Sequence, residues 1–155
     1  MNEKKQTLKN RCKLLRFPDL GDERGKLVVI EGEKAIPFSI KRIFYMYGSG
    51  PDIVRGRHAN INTDFILINV SGNSKIKITD TIETIEIPLC EPLTGVFIPR
   101  MLWKEMYGFS KDSVILVLAS THYDENEYIR DYSEYIKVLN NPSFRTQSIV
   151  NRSSF

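Results

Sequence analysis

Short apolar runs closed by Gly, Pro, Asn or Asp dominate the middle of the chain, and that punctuation reads as β-strands. Leu27-Val28-Val29-Ile30 is one such run, ended by Glu31-Gly32. Ile40 to Tyr47 mixes β-branched and aromatic residues and stops at the loop-forming Gly48-Ser49-Gly50-Pro51. Phe65 to Val70 is apolar almost throughout, which predicts a strand covered on both faces, and Ser71-Gly72-Asn73 turns the chain after it. Lys75 to Thr79 alternates polar and apolar, so one face is packed and the other wet. Ile82, Ile85 and Ile87 follow as the return arm of a hairpin, Val96 to Ile98 runs up to Pro99, and Val114 to Ala119 is another buried run. About seven short strands of this kind predict an all-β sandwich or barrel.

The period changes near the end. Tyr128, Ile129, Tyr132, Ile136 and Leu139 recur at three- and four-residue steps, which places them on one side of a helix. Asp124 with Glu127 three residues later reads as a capping box that starts this helix, and Asn140-Asn141-Pro142 stops it. The expected organisation is one domain over residues 1–141, then a tail over 142–155 that is loosely packed or docks on a partner. No internal repeat is visible.

Composition narrows the class. The 155 residues are 41% hydrophobic and 26% charged, an ordinary globular balance. No apolar run is long enough for a membrane helix, and the first residues lack the apolar stretch of a signal peptide, so a cytoplasmic protein is expected. Cys12 and Cys90 have no metal-like spacing and read as reduced thiols. The net charge of +3 and the early basic cluster (Lys4, Lys5, Lys9, Arg11, Lys13, Arg16) read as a solvated face, since no nucleic-acid module accompanies them.

Histidine is scarce, with only His58 and His122. Several separated blocks, among them Arg55-Gly56-Arg57-His58-Ala59-Asn60, Trp103-Lys104-Glu105-Met106 and Tyr128-Ile129-Arg130, resemble the WxcM-like sugar-nucleotide 3,4-ketoisomerases, small RmlC-like cupins. Arg55-Gly56-Arg57-His58-Ala59-Asn60 is similar to the family's Arg-Gly-x-His-Ala-His segment except at the last position. Trp103-Lys104-Glu105-Met106 is similar to its Trp-His-Glu-Met segment. Ile36 to Tyr45 resembles its early strand, and Leu116 to Ser120 with Tyr123-Asp124-Glu125 and Tyr128-Ile129-Arg130 resembles its last strand and C-terminal helix. The likeness runs from about Leu14 to Lys137.

The resemblance implies a cupin jelly-roll barrel with a short C-terminal helix. It also implies a cofactor-free isomerase that moves a ketone between C4 and C3 of a dTDP-linked 4-keto-6-deoxyhexose, in deoxyamino-sugar synthesis for surface polysaccharide. His58 matches the family motif and is the candidate base, because imidazole has the side-chain pKa best suited to proton transfer near neutrality. Tyr45, Asn60 and Lys104 stand with it as candidate catalytic positions. Arg42, Arg55, Arg57, Trp103 and Glu105 are candidates for holding substrate, the guanidinium forks matching phosphate oxygens.

The departures carry as much weight. Asn60 stands where the family has a second His, Phe65 where it has a glutamine, and Lys104 where it has another His. At the positions where cupins bind metal, an imidazole, an amide, a phenyl ring and an ammonium cannot hold zinc or iron, so no metal is expected. Two alternatives stay open: a catalytically degenerate cupin that binds a nucleotide sugar or a partner enzyme, and, last on ligand grounds, a metal-dependent cupin dioxygenase. Members of the family are homodimers that exchange N-terminal strands, and Leu8 to Phe17 is the stretch expected to supply such a strand. Neither nucleic acid nor membrane is an expected partner.

Overall fold

A computed structural model describes residues 6–143. Two five-stranded antiparallel sheets face each other, in the strand orders β1-β7-β4-β9-β2 and β10-β3-β8-β5-β6. The first sheet comprises β1 (Leu14–Arg16), β2 (Arg42–Tyr47), β4 (Phe65–Ser71), β7 (Thr94–Ile98) and β9 (Val114–Ala119). The second comprises β3 (Arg55–Asn60), β5 (Ser74–Thr79), β6 (Thr84–Leu89), β8 (Trp103–Tyr107) and β10 (Tyr128–Ile129). A short helical turn, α1 (Leu8–Arg11), precedes β1, and α2 (Tyr132–Asn140) closes the described chain.

The apolar runs of β4 and β9 arise because both of their faces are covered. Phe65, Leu67, Ile115, Val117 and Ala119 point between the sheets and meet Ile76, Ile78, Met106 and Leu8. Ile66, Ile68 and Leu118 point outward and are sealed by Phe17, Ile36, Val28, Ile30 and Phe38. Each such fully buried aliphatic side chain contributes roughly 1.5–3 kcal/mol. β5 has one buried and one wet face, as its alternation predicts, and it forms the expected hairpin with β6.

One expectation is corrected on the outside of the first sheet. Leu27–Ile30 alternates like a strand, with Val28 and Ile30 packed inward and Leu27 and Val29 about half exposed, but it pairs with no strand of the described chain. The stretch Leu8 to Phe17, the candidate for strand exchange in a dimer, packs here against its own chain. Leu8 and Cys12 are buried, and Leu14–Arg16 pairs with Val96, Gly95 and Thr94 of β7.

The C-terminal helix begins later than its sequence suggests. Asp124 caps only a 3-10 turn over Glu125–Glu127, accepting from the Asn126 N–H. Tyr128 and Ile129 then pair with Asn60 and Ala59 as a strand. The helix starts at Tyr132, with the Asp131 carboxylate accepting from the Glu134 N–H at 2.9 Å. Its fully buried Tyr135 packs with Trp103, Ala59 and Ile129 on the outer face of the second sheet. Most of the tail expected over 142–155 lies outside the described residues.

Candidate active site

A cavity of about 320 Å³ lies between the sheets, lined on one side by Phe44, Met46, Phe65, Leu67 and Val117. Arg55, Gly56, His58, Lys104, Met106, Tyr128 and Arg130 line the other. Strand alternation explains most of this list. On β8, Lys104 and Met106 face inward while Trp103 and Glu105 face out. His58 lies directly across from Lys104 in the β3–β8 ladder, so the two side chains share the inner face.

Arg55 and His58 are three residues apart and both line the cavity, which a regular strand forbids. A β-bulge between Gly56 and His58 resolves this, with Arg55 paired to Met106, Gly56 to Glu105 and His58 to Lys104. Arg57 is the extra residue, and both Gly56 (φ 85°) and Arg57 (φ 53°) adopt left-handed backbone. A Cβ on Gly56 would sit 2.8 Å from the Lys104 carbonyl oxygen. Gly56→Ala is therefore expected to destabilise the fold by about 2–3 kcal/mol, read as a lower urea midpoint.

The bulge also turns the Gly56 carbonyl toward His58, whose Nδ1 lies 2.9 Å from it. A carbonyl only accepts, so Nδ1 carries the proton and Nε2 keeps its lone pair. Burial first, then the Lys104 charge and to a smaller degree Arg130, pull the imidazole pKa down to about 4, against the Gly56 bond that raises it. The ring is neutral at pH 7.

Lys104 is 4% exposed. Its Nζ donates to Asn60 Oδ1 at 2.7 Å and lies 4.7 Å from the centre of the Phe65 ring. Burial pulls its pKa down to about 7, and Glu127 partly opposes that fall. Asn60 is itself buried, and its Nδ2 donates to Glu127 Oε1 at 2.9 Å. Glu127 also accepts from the Asn62 N–H at 2.9 Å and from the Thr63 hydroxyl. The amide of Asn60 thus has one orientation that satisfies both neighbours, its oxygen toward the ammonium and its NH₂ toward the carboxylate. Sequence reasoning spent Glu127 on a helix cap and missed it here. The signal that could have found it is the polar cluster Asn60, Asn62 and Thr63, which needs an acceptor once buried.

The family model described as WxcM-like, C-terminal (FdtA) matches residues 10–140. The chain belongs to this family. It is 39% identical over 127 residues to the TDP-4-oxo-6-deoxy-alpha-D-glucose-3,4-oxoisomerase of Aneurinibacillus thermoaerophilus, covering 82% of this chain and 91% of that protein. The crystal structure of a 3,4-ketoisomerase from Helicobacter canadensis superposes with a TM-score of 0.82 at 43% identity, over 84% of this chain and 98% of the other. RmlC from Legionella pneumophila, a dTDP-6-deoxy-D-glucose-3,5-epimerase, is 14% identical with a TM-score of 0.69 over 79% of this chain and 73% of its own. It shares the cupin jelly roll.

Against this WxcM-like background the expected site divides in two. The cavity holds Arg55, His58 and Lys104, with Asn60 behind Lys104. Arg42 stands beside it, its guanidinium 5.4 Å from the centre of the Phe44 ring and 5.5 Å from that of Tyr123. Its Nε and one Nη are buried without a hydrogen-bond partner among the described residues. Tyr45, Arg57, Trp103 and Glu105, expected beside His58, are placed elsewhere. Tyr45 projects from the opposite face of β2 to Phe44 and Met46, largely exposed, with the Tyr47 ring 5.9 Å away. Trp103 is buried under α2 against Tyr132 and Tyr135. Glu105 pairs with Lys77 at 2.9 Å on the outer face, where the charge of Arg57 also reaches it. Among the described residues no group of three or more His, Cys, Asp or Glu side chains converges on one point.

Proposed function

We propose that the chain is a 3,4-ketoisomerase acting on a TDP-linked 4-keto-6-deoxyhexose, with His58 as the base that moves the carbon-bound proton. The observation that carries this reading is the neutral imidazole with its Nδ1 proton held by Gly56, in an inter-sheet cavity shared with a buried titratable lysine. The Aneurinibacillus relative is named for this isomerisation, which supports the substrate class.

His58 Nε2 takes the proton from C3, and the C–H electron pair becomes a C3–C4 double bond. Returning a proton from His58 to C4, after exchange with solvent, completes the exchange of ketone and carbinol. One carbon is oxidised as its neighbour is reduced, so the sum is redox-neutral and needs no cofactor. Arg55 on the cavity wall and Arg42 with its unpartnered donors hold the diphosphate, which supplies the acceptors that Arg42 lacks. A binding protein without turnover is not favoured, because a neutral base would have no task in it. The product serves deoxyamino-sugar synthesis for surface polysaccharide, in the cytoplasm.

The test is proton NMR of purified protein with dTDP-4-keto-6-deoxyglucose in D₂O. The expected result is a new 3-keto sugar with deuterium at C4, and deuterium at C3 of the recovered 4-keto substrate, because the proton on His58 exchanges with D₂O before it is returned. Unchanged substrate with no deuterium uptake would overturn the reading.

The same reading includes a homodimer, formed through the outer surface of the first sheet. Support comes from the strand-like Leu27–Ile30, unpaired among the described residues, and from edge strand β2, which exposes Ile43, Tyr45 and Tyr47. An unprotected apolar edge is a template for pairing. Sedimentation is expected to give twice the chain mass for the native protein and a single chain mass for Ile43→Glu; a native monomer would refute the dimer.

A further inference from the structure

We propose that Lys104 is the second proton carrier of the site, moving the oxygen-bound proton while His58 moves the carbon-bound one, and that Asn60 and Glu127 position it. This rests on the 3,4-ketoisomerase reading above and adds a role that His58 cannot fill alone. Four bonds to hydrogen change in the reaction, two at carbon and two at oxygen. In the forward direction, loss of the C3 proton to His58 drives the carbonyl electron pair onto O4, which takes a proton from the Lys104 ammonium. The intermediate is then a neutral enediol. In the second half, O3–H gives its proton back to the Lys104 amine, the O3 electrons form the new carbonyl, and C4 takes the proton held by His58. Each carrier ends as it began, and no oxidant or reductant is consumed.

The geometry carries the assignment. Lys104 lies opposite His58 in the ladder and lines the same cavity. A structural buried lysine is normally paired with a carboxylate. Here Nζ instead meets an amide oxygen and an aromatic face, and Glu127 is one amide further away. That arrangement steers the amine without fixing its proton. Among the described residues Asn60 is the hydrogen-bond partner of Nζ, which leaves its other valences to the cavity. Titratable and charged groups around it are Arg55 and His58 from β3, and Glu127, Tyr128 and Arg130 from the β10 segment. Burial favours loss of its proton and Glu127 resists it, so a value of about 7 lets the group both give and take near neutral pH.

Lys104→Met and Lys104→Arg separate this role from a merely structural or electrostatic one. Arg keeps the charge but does not release a proton near neutrality. Both variants are expected to lose turnover of dTDP-4-keto-6-deoxyglucose by about 10²–10⁴-fold. Both should also lose the inflection near pH 7 in the kcat profile, while keeping the rise in Tm that dTDP gives the native enzyme. Turnover by Lys104→Arg within threefold of native, or an inflection near pH 7 that survives in Lys104→Met, would overturn the assignment. A variant whose Tm no longer responds to dTDP would overturn it too, by making Lys104 a structural residue. If the native enzyme binds dTDP but leaves the sugar unchanged, the isomerase reading itself fails, an outcome distinct from the failure of either variant.

Discussion

His58→Gln is expected to lower kcat for 3,4-isomerisation by about 10²–10⁴-fold and to abolish deuterium uptake at C3, while dTDP still raises Tm. The expectation follows from the direction of one lone pair. The Gly56 carbonyl occupies the Nδ1 proton, so Nε2 is the ring's free basic atom, and a glutamine amide offers no equivalent at neutral pH. NMR in D₂O reads both effects at once. Deuterium still entering C3 at the native rate would move the base elsewhere in the cavity.

The same variant carries a signature in stability. The imidazole's folded value of about 4 lies below its ordinary 6.5, so between those limits the unfolded chain binds more protons. The fold therefore loses stability on acidification from pH 6.5 toward 4, and this contribution is fully present above pH 6.5. With allowance for the ring's partial exposure the loss is roughly 2 kcal/mol. His58→Gln should flatten that slope in urea titrations between pH 6.5 and 5, above the range in which most carboxylates titrate.

Glu127→Ala is expected to be among the most destabilising single substitutions in the chain, by about 3–5 kcal/mol. Its carboxylate is the shared acceptor for Asn60, Asn62 and Thr63 and the nearby counter-charge for Lys104. Removing it leaves buried donors without a partner, which costs more than the bonds themselves contributed. Glu127→Gln keeps the shape and one acceptor, so its urea midpoint should fall less. In that variant Lys104 loses the charge that supports its proton, and the kcat inflection should move below pH 7. An inflection unmoved in Glu127→Gln would show that the carboxylate does not reach Lys104 through Asn60.

Much of the fold was legible because β4, β5, β6, β7 and β9 obey simple burial rules. Runs covered on both faces are apolar throughout, and the half-covered β5 alternates. β3 and β8 escaped the hydrophobic pattern for a physical reason: their inward side chains form the polar wall of the cavity, so Arg-Gly-Arg-His-Ala-Asn and Trp-Lys-Glu-Met-Tyr lack an apolar stripe. Leu27–Ile30 showed its period but not its neighbour, since a period reports faces and says nothing of the edge. The late start of α2 came from Glu127, a cap by spacing whose carboxylate is bonded to Asn60, Asn62 and Thr63.

The site was legible where motif and alternation agree. His58 was indicated by resemblance and Lys104 by its chemistry at a position where the family has His, and the ladder puts them opposite each other. Trp103 and Glu105 belonged to the same segment as Lys104 and were expected beside it. Period two alone places them on the other side of the sheet, as it places Tyr45 opposite to Phe44 and Met46. A contiguous segment in a strand protein is two half-sites, only one of which faces any given cavity. Arg55 and His58 break that rule, and only the ladder register reveals why.

The bulge at Arg57 also bears on length variation in this strand. Without that residue, Arg55, Gly56 and His58 would still lie opposite Met106, Glu105 and Lys104, and every inward side chain would keep its place. What the inserted residue supplies is the turn of a single peptide plane, the one whose carbonyl meets the imidazole. The strand is thus one residue longer than its pairing needs, and that surplus residue decides which nitrogen of a neighbouring ring is basic.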